Sequence, residues 1–102
     1  MFGIYPDSYR QIIKILSSCE SIEEVIIYGS RAKGNYREGS DIDITLLGDV
    51  SEKDFSKLYN DLEDSYIPYL FDISIYDKLN SESLKDHIKR VGKTFYKKSV
   101  YI

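Results

Sequence analysis

The amino-acid sequence predicts a small α/β (α+β) domain: a mixed sheet of three strands, or slightly more, with helices packed on one face. Short runs that are wholly apolar, or that alternate between apolar and polar residues, are typical of strands. They are separated by segments in which apolar residues recur every three or four positions, which is typical of amphipathic helices. The 102 residues suffice for one modest core, so residues 1–102 are predicted to form a single domain.

The first helix is predicted to begin at Pro6 and to end near Ser18 or Cys19. Proline is favoured in the first helical turn because its nitrogen has no hydrogen that would be left unbonded. Apolar residues then recur at the spacing of a single helix face: Tyr9, Ile12, Ile13 and Leu16. This face is expected to pack against the sheet.

The first strand is predicted at residues 25–28, a β-branched run without a charged residue that is typical of a strand buried on both faces. It runs directly into Gly29 and Ser30, and residues 31–33 can form a helical turn. Backbone N–H groups at the start of such a turn favour an anion, and Gly29 has no Cβ to keep a phosphate away. The sequence therefore predicts a phosphate-binding loop at this point.

The second strand follows a predicted surface loop at residues 34–40, which has turn-forming residues throughout. From Asp41 onward, polar and apolar residues alternate. Because successive side chains of a strand point to opposite faces, Asp41 and Asp43 should project together with Thr45, away from the core. The face toward the core is predicted to carry Ile42, Ile44 and Leu46.

A second helix is predicted from a capping serine, Ser51, to about Asp64. Its apolar face carries Phe55, Leu58, Tyr59 and Leu62. The third strand is predicted at residues 70–76, where an aspartate, Asp72, needs either a partner or a function because a buried unpaired charge is unfavourable. The face that bears Asp72 and Ser74 should lie opposite to Phe71, Ile73 and Ile75.

A last helix is predicted after Ser81 or Ser83, either of which can cap it. His87 is interpreted as partly exposed surface rather than a catalytic group, and residues 97–102 favour no particular element. The inner face of this helix is expected to carry Leu84, Ile88, Val91 and Phe95.

Composition narrows the classes of function. A formal net charge of -3 argues against a dedicated nucleic-acid binder, so direct binding to nucleic acid is not expected. The acidic stretch 49–64 and the basic stretch 85–98 are interpreted as solvated helix faces, with a binding patch as the alternative for the second. One cysteine cannot form an intramolecular disulfide, and neither a leader nor a membrane-spanning run is recognisable, so a cytoplasmic protein without membrane contact is expected.

The aspartates of two predicted strands indicate metal chemistry. Grouped carboxylates suit Mg²⁺, which takes oxygen ligands and shares its coordination with phosphates and water. Two such ions suit an in-line displacement that releases pyrophosphate, so the predicted reaction is nucleotidyl transfer. In the alternative interpretations, Asp41 and Asp43 only keep an edge strand soluble. Asp72 then forms a structural ion pair with Arg31 or Lys33.

Gly29-Ser30, ten residues, Asp41-Ile42-Asp43 and a later Asp72 resemble the GS-x10-D-x-D signature of the DNA polymerase beta-like nucleotidyltransferase superfamily. The resemblance implies the polymerase beta-like fold over essentially the whole chain. It also implies that Asp41 and Asp43 bind both metal ions. Asp72 would be the third metal carboxylate and would help to activate the acceptor hydroxyl.

The same resemblance assigns the nucleotide-binding residues. Gly29, Ser30 and Arg31 would hold the triphosphate of ATP, although Arg31 and its neighbours Lys33 and Arg37 could equally be solvated surface. Ser40 is also placed in the nucleotide-binding set, with a turn or capping role as the alternative.

Small size and a similar spacer further resemble the minimal nucleotidyltransferases, or MNT proteins, which are typically encoded beside a HEPN-domain partner. This resemblance implies an antitoxin that transfers AMP from ATP to a tyrosine of a HEPN ribonuclease toxin, in a possible homo- or hetero-oligomer. An antitoxin that acts by binding alone is an alternative hypothesis. A free-standing enzyme with a small-molecule acceptor is a third, which the short length disfavours.

Overall fold

The computed structural model describes residues 2–37 and 39–98. Four helices, one 3-10 turn and four strands follow one another in this part of the chain. They are α1 (Pro6–Ser17), β1 (Glu24–Tyr28), α2 (Ser30–Lys33), β2 (Ile42–Leu47), α3 (Glu52–Asp64), β3 (Phe71–Ile75), the 3-10 turn (Tyr76–Lys78), α4 (Glu82–Val91) and β4 (Lys93–Lys97). The predicted class, a small mixed α/β fold, is confirmed.

The four strands form one sheet in the order β3-β2-β1-β4. β1 pairs antiparallel with both β2 and β4, whereas β2 and β3 run parallel. A parallel pair needs a crossover connection, and α3 supplies it between β2 and β3. The first residues of β2 and β3 therefore lie side by side, at the same end of the two strands.

One face of the sheet is covered by α1 and α3. The alternation predicted for β2 holds, since Ile42, Ile44 and Leu46 are fully buried on this face. The residues that complete the core with them include Val25, Ile27, Ile12, Leu16, Leu58 and Leu62. Each fully buried aliphatic side chain contributes about 1.5–3 kcal/mol relative to an exposed one, so this layer supplies most of the stability of the fold.

Helix α4 lies on the opposite face of the sheet, so the prediction that the helices pack on one face holds for α1 and α3 but not for α4. Its buried residue, Ile88, is outside the main core cluster and shares a small surface cavity with Ile26 and Leu47. Ile26 alternates with the core residues of β1 and therefore points away from α1 and α3. Helix α4 is capped by Ser81, whose Oγ accepts a hydrogen bond from the backbone N–H of Leu84 at 3.1 Å.

The predicted last helix is too long, because the residues from Lys93 to Lys97 form strand β4. The helix ends at Val91, and Phe95 lies in a strand, where it is buried against Phe2 and Tyr9 at ring-centroid distances of 5.9 and 5.3 Å. The helical spacing of Phe95 was misleading, because the free edge of β1 offers backbone partners to a segment rich in β-formers. Of the tail 97–102, residues 99–102 lie outside the described residues.

None of the helices in the described ranges is long and apolar enough to cross a membrane.

Candidate functional site

The strand register places one side chain from each of three neighbouring strands in a single row. Tyr28 of β1 lies opposite Asp43 of β2, and Asp43 lies opposite Asp72 of β3. Directly paired residues project to the same face of a sheet, and neighbouring strands lie about 4.8 Å apart. The two aspartates predicted on separate strands are therefore direct neighbours, on the face away from the α1 and α3 core.

Asp41 joins this row from just outside the sheet. It immediately precedes β2 and is exposed, and because it lies two residues before Asp43, strand alternation assigns both side chains to the same face. The backbone N–H of Ile42 donates to the carbonyl of Leu70 at 2.9 Å, which fixes the start of β2 beside the start of β3. The structure thus pairs Asp43 with Asp72 and places Asp41 at the same end of the β2–β3 pair.

The electrostatics of Asp43 show how close these charges are. Burial raises the pKa of Asp43 above its ordinary range, and the negative charges of Asp72 and Asp41 raise it further. The guanidinium of Arg31 opposes this rise to a smaller extent. In the described part of the chain Asp72 forms no ion pair, so the structural pairing with Arg31 or Lys33 is absent.

Oxygen donors of this kind fit Mg²⁺. Within residues 2–37 and 39–98, no three His, Cys, Asp or Glu side chains form a ready-made metal cage. A Mg²⁺ site that works with a nucleotide needs one or two protein carboxylates, since substrate phosphates and water supply the remaining ligands. The negative charge of Asp72 helps to raise the pKa of Asp43, and a cation bound beside the two carboxylates would relieve this repulsion.

Gly29 joins the predicted phosphate loop to the carboxylates. Its φ of +78° and ψ of -156° lie in a region that only glycine adopts readily, and a Cβ built there would collide with Oδ2 of Asp43. The helical turn predicted after it is α2, which begins at Ser30 and ends at Lys33, with Gly34 as its C-cap at a left-handed φ of +84°. The loop and the carboxylate pair are therefore in direct contact.

Arg31 is buried, with 3% of its surface exposed, so the solvated interpretation of this residue is wrong. Its Nε and Nη2 donate to the carbonyl of Ser40 at 3.2 and 2.8 Å, and its Nη1 donates to the carbonyl of Phe2 at 3.1 Å. The guanidinium lies 5.0 Å from the ring centroid of Tyr69 and 5.2 Å from that of Tyr36. Its predicted contact with the triphosphate stays a prediction.

The other spacer residues lie nearer the surface. The hydroxyl of Ser40 accepts a hydrogen bond from the backbone N–H of Arg37 at 2.9 Å, which is the turn role given as its alternative. Its predicted contact with nucleotide stays a prediction. Ser30 is half-exposed, and Lys33 and Arg37 are exposed.

Tyr28 was missed by the sequence reasoning, whereas His87 was interpreted as partly exposed surface, which agrees with its position in the structure. Tyr28 is 7% exposed, and burial raises its pKa, as do the negative charges of Asp72 and Asp43 to a smaller extent. The imidazole of His87, on α4, is half-buried and meets the Tyr28 ring edge-on at 6.5 Å. Tyr28 lies two residues after Ile26 in β1, so strand alternation could have placed both side chains on the carboxylate face. No signal in the sequence placed His87 beside Tyr28.

Replacing Asp43 with asparagine should stabilise the metal-free protein at neutral pH. Because the folded-state pKa of Asp43 is raised, the native state binds its proton more tightly than the unfolded chain. The free energy of unfolding should therefore fall as pH rises from the ordinary aspartate range through the raised pKa. Asp43→Asn removes that loss, so its melting temperature should exceed that of the wild type at pH 7 in EDTA, with the difference shrinking in acid.

Thermal unfolding of both proteins across pH 3–8 checks this expectation, with Asp49→Asn, at an exposed position beyond β2, as the control. The charges that face Asp43 are Asp41, Asp72 and Arg31, and they are the same in all three proteins. A variant that is less stable than the wild type by an equal amount at every pH would contradict the electrostatic cause.

Comparison with known proteins agrees with this geometry. The family model described as "Polymerase beta, Nucleotidyltransferase" matches residues 10–101. A stretch of 29 residues, 28% of the chain, is 55% identical to "Putative protein adenylyltransferase MJ0604" of Methanocaldococcus jannaschii, and it spans 29% of that relative's length.

Solved structures share the fold. A chain in the crystal structure of a toxin-antitoxin with AMP-PNP superposes with a TM-score of 0.71 at 22% identity, over 88% of this chain and 73% of that chain. A chain of the MntA-HepT toxin-antitoxin gives 0.66 at 20% identity, over 92% and 74%. A chain of the tri-AMPylated Shewanella oneidensis HEPN toxin in complex with its MNT antitoxin gives 0.64 at 20% identity, over 89% and 71%.

The family model covers nearly the whole chain, including the row of carboxylates and the Gly29 turn. The structural neighbours independently show the same fold. The chain belongs to the polymerase beta nucleotidyltransferase family.

Proposed function

We propose that this nucleotidyltransferase uses Mg²⁺ and ATP to transfer AMP to a protein hydroxyl, and that the acceptor is a tyrosine of a HEPN-domain toxin. The observation that carries the proposal is the row formed by Asp43 and Asp72, with Gly29 packed against it. A carboxylate pair beside a half-exposed glycine backbone suits a metal-bound triphosphate.

Asp41, Asp43 and Asp72 would hold the metal, with two Mg²⁺ ions as the expected number. When bound, these ions supply charge neutralisation and Lewis-acid activation. Asp72 is the most exposed of the two paired carboxylates, so an incoming hydroxyl can reach it. In the proposed reaction Asp72 would take the proton as the acceptor oxygen bonds to the α-phosphorus and the bond to the departing pyrophosphate breaks.

Gly29 and Ser30 would contact the phosphates. The missing side chain at Gly29 lets the carboxylate of Asp43 lie against its backbone, and the backbone N–H groups at the start of α2 follow directly in the chain. The buried cation of Arg31 lies close enough to affect Asp43 and adds positive potential to a cluster of carboxylates. The nucleotide-binding set proposed is Gly29, Ser30, Arg31 and Ser40.

The partner and the nucleotide are proposed from four observations. One relative is named as a protein adenylyltransferase, and a structural neighbour is described with a tri-AMPylated HEPN toxin. Another neighbour is described with AMP-PNP, which supports an adenine nucleotide. The chain also exposes large apolar side chains suited to a protein partner, with Tyr66 99%, Leu70 70% and Tyr5 65% exposed.

Labelled ATP tests the reaction. The protein, Mg²⁺ and a HEPN-domain toxin, with the product of the adjacent reading frame as the first choice, should be incubated with ATP labelled at either the α- or the γ-phosphate. We expect the α label to become attached to the partner and the γ label to leave with pyrophosphate, and EDTA should prevent both. Label from the γ-phosphate on the partner would indicate phosphoryl transfer instead and would contradict the proposal, as would an unlabelled partner.

Neutralisation by binding alone is the second candidate function. The exposed aromatic side chains favour it, because they could cover a partner surface without chemistry. It predicts a stable complex and full protection from the toxin with no label transferred, so the same mixture analysed by gel filtration separates the two functions.

A further inference from the structure

Asp41 is the member of the carboxylate row that the sheet does not hold. β2 begins at Ile42, so Asp41 lies at the end of the loop that leads into it. Asp43 and Asp72, in contrast, are fixed by strand pairing. A metal ligand must be held within about 0.5 Å of its working position, so something other than the sheet has to hold Asp41.

The contacts of Arg31 supply such a restraint. Two of its N–H groups converge on the carbonyl of Ser40, the residue immediately before Asp41. On the other side of Asp41, the N–H of Ile42 is bonded to Leu70. The backbone on both sides of the Asp41 side chain is therefore fixed, once by the guanidinium and once by the start of the parallel strand pair.

The guanidinium is itself held by distant segments. Its third bond goes to Phe2, and the guanidinium lies over the rings of Tyr36 in the loop and Tyr69 in the segment before β3. The hydroxyl of Tyr69 also accepts a hydrogen bond from the backbone N–H of Tyr5 at 3.1 Å. Burying a guanidinium is unfavourable by several kcal/mol unless its donors are satisfied, and here the satisfied donors tie the N-terminal segment to the loop.

From these contacts we infer that Arg31 is a positioning residue, which holds the carboxylate of Asp41 beside Asp43 through the carbonyl of Ser40. This inference rests on the proposed metal site, and it gives Arg31 a different role from direct contact with the triphosphate. Lysine keeps the charge but has no planar fork, so it cannot bond Ser40 twice and Phe2 once in the same geometry.

Binding of Mn²⁺ without nucleotide tests the inference directly. The affinity can be measured from the free-ion signal in electron paramagnetic resonance. We expect Arg31→Lys to weaken Mn²⁺ binding about tenfold or more, the usual effect of removing a group that orients a metal ligand. Arg90→Lys, the same substitution at an exposed position on α4, is the matched control and should bind Mn²⁺ as the wild type does.

Kinetics separate the two roles of Arg31. A positioning role predicts that Arg31→Lys lowers kcat about 10- to 100-fold and raises the Mg²⁺ requirement, with little change in KM for ATP. Unchanged Mn²⁺ affinity together with a raised KM for ATP would overturn the inference in favour of a phosphate ligand. Unchanged Mn²⁺ affinity and unchanged kinetics would overturn it as well.

A second variant guards against a general loss of structure. Tyr36→Leu removes one aromatic face from the guanidinium at a side chain that is 39% exposed, so the fold should persist. It should weaken Mn²⁺ binding in the same direction, by less than Arg31→Lys. If the wild type binds Mn²⁺ but transfers no AMP, the proposed function fails while the Mn²⁺ comparison still decides the role of Arg31.

Discussion

Replacing Asp41 and Asp43 together with asparagine should abolish nucleotidyl transfer, lowering kcat/KM by at least about 10³-fold. The amide keeps the shape of the side chain but removes the negative charge that a hard divalent cation requires. A loss of about 4 kcal/mol in stabilisation of the transition state corresponds to that factor. Transfer of the α label from ATP to the partner, measured at several Mg²⁺ concentrations, gives the rate.

The structure supplies a control and a check on folding. Asp49→Asn makes the same change at an exposed position after β2 and should leave the rate unchanged. Circular dichroism and gel filtration with the partner report whether the double variant still folds and binds. Undiminished transfer by a folded double variant would show that the carboxylate row is not the metal site. Full protection from the toxin by an inactive double variant would favour neutralisation by binding alone.

The carboxylate row could be predicted because the alternation of apolar and polar residues in each strand shows which face of the sheet each side chain takes. Alternation in β2 and β3 places Asp43 and Asp72 opposite to buried isoleucines whatever the register. The exact pairing of Asp43 with Asp72 could not be predicted, because it follows from the crossover through α3. The prediction that Asp43 and Asp72 share one face did not depend on this pairing, because shifting β3 along β2 by two residues would keep both side chains on that face.

The parts that could not be predicted depend on contacts between distant segments. Arg31 looked like a solvated or phosphate-binding residue because its partners, Phe2 and Tyr69, are far from it in sequence. β4 was hidden for the same reason: Phe95 has helical spacing, and only the free edge of β1 makes its segment a strand. Local patterns thus fix which face a residue takes, whereas loop closure and edge pairing are decided by the assembled fold.

Gly29→Ala should impair both stability and transfer. Alanine at φ +78° and ψ -156° is strained by about 1–3 kcal/mol, and its Cβ would push the carboxylate of Asp43 out of the row. We expect a lower melting temperature and a fall in kcat/KM of at least about 100-fold, since a displacement of about 1 Å at a reacting centre has that effect. Thermal unfolding and the α-label assay, run well below the melting temperature, measure the two consequences separately.

Gly34→Ala separates strain from displacement. Gly34 also has a positive φ, +84°, but a Cβ there would meet no heavy atom within 4 Å. This variant should lose about 1–2 kcal/mol of stability from the left-handed backbone alone and keep its activity. Equal loss of activity in the two variants would mean that the rigidity of the loop matters more than the contact between Gly29 and Asp43. A selective loss in Gly29→Ala would tie the conformation of the phosphate loop directly to the position of the metal-binding carboxylate.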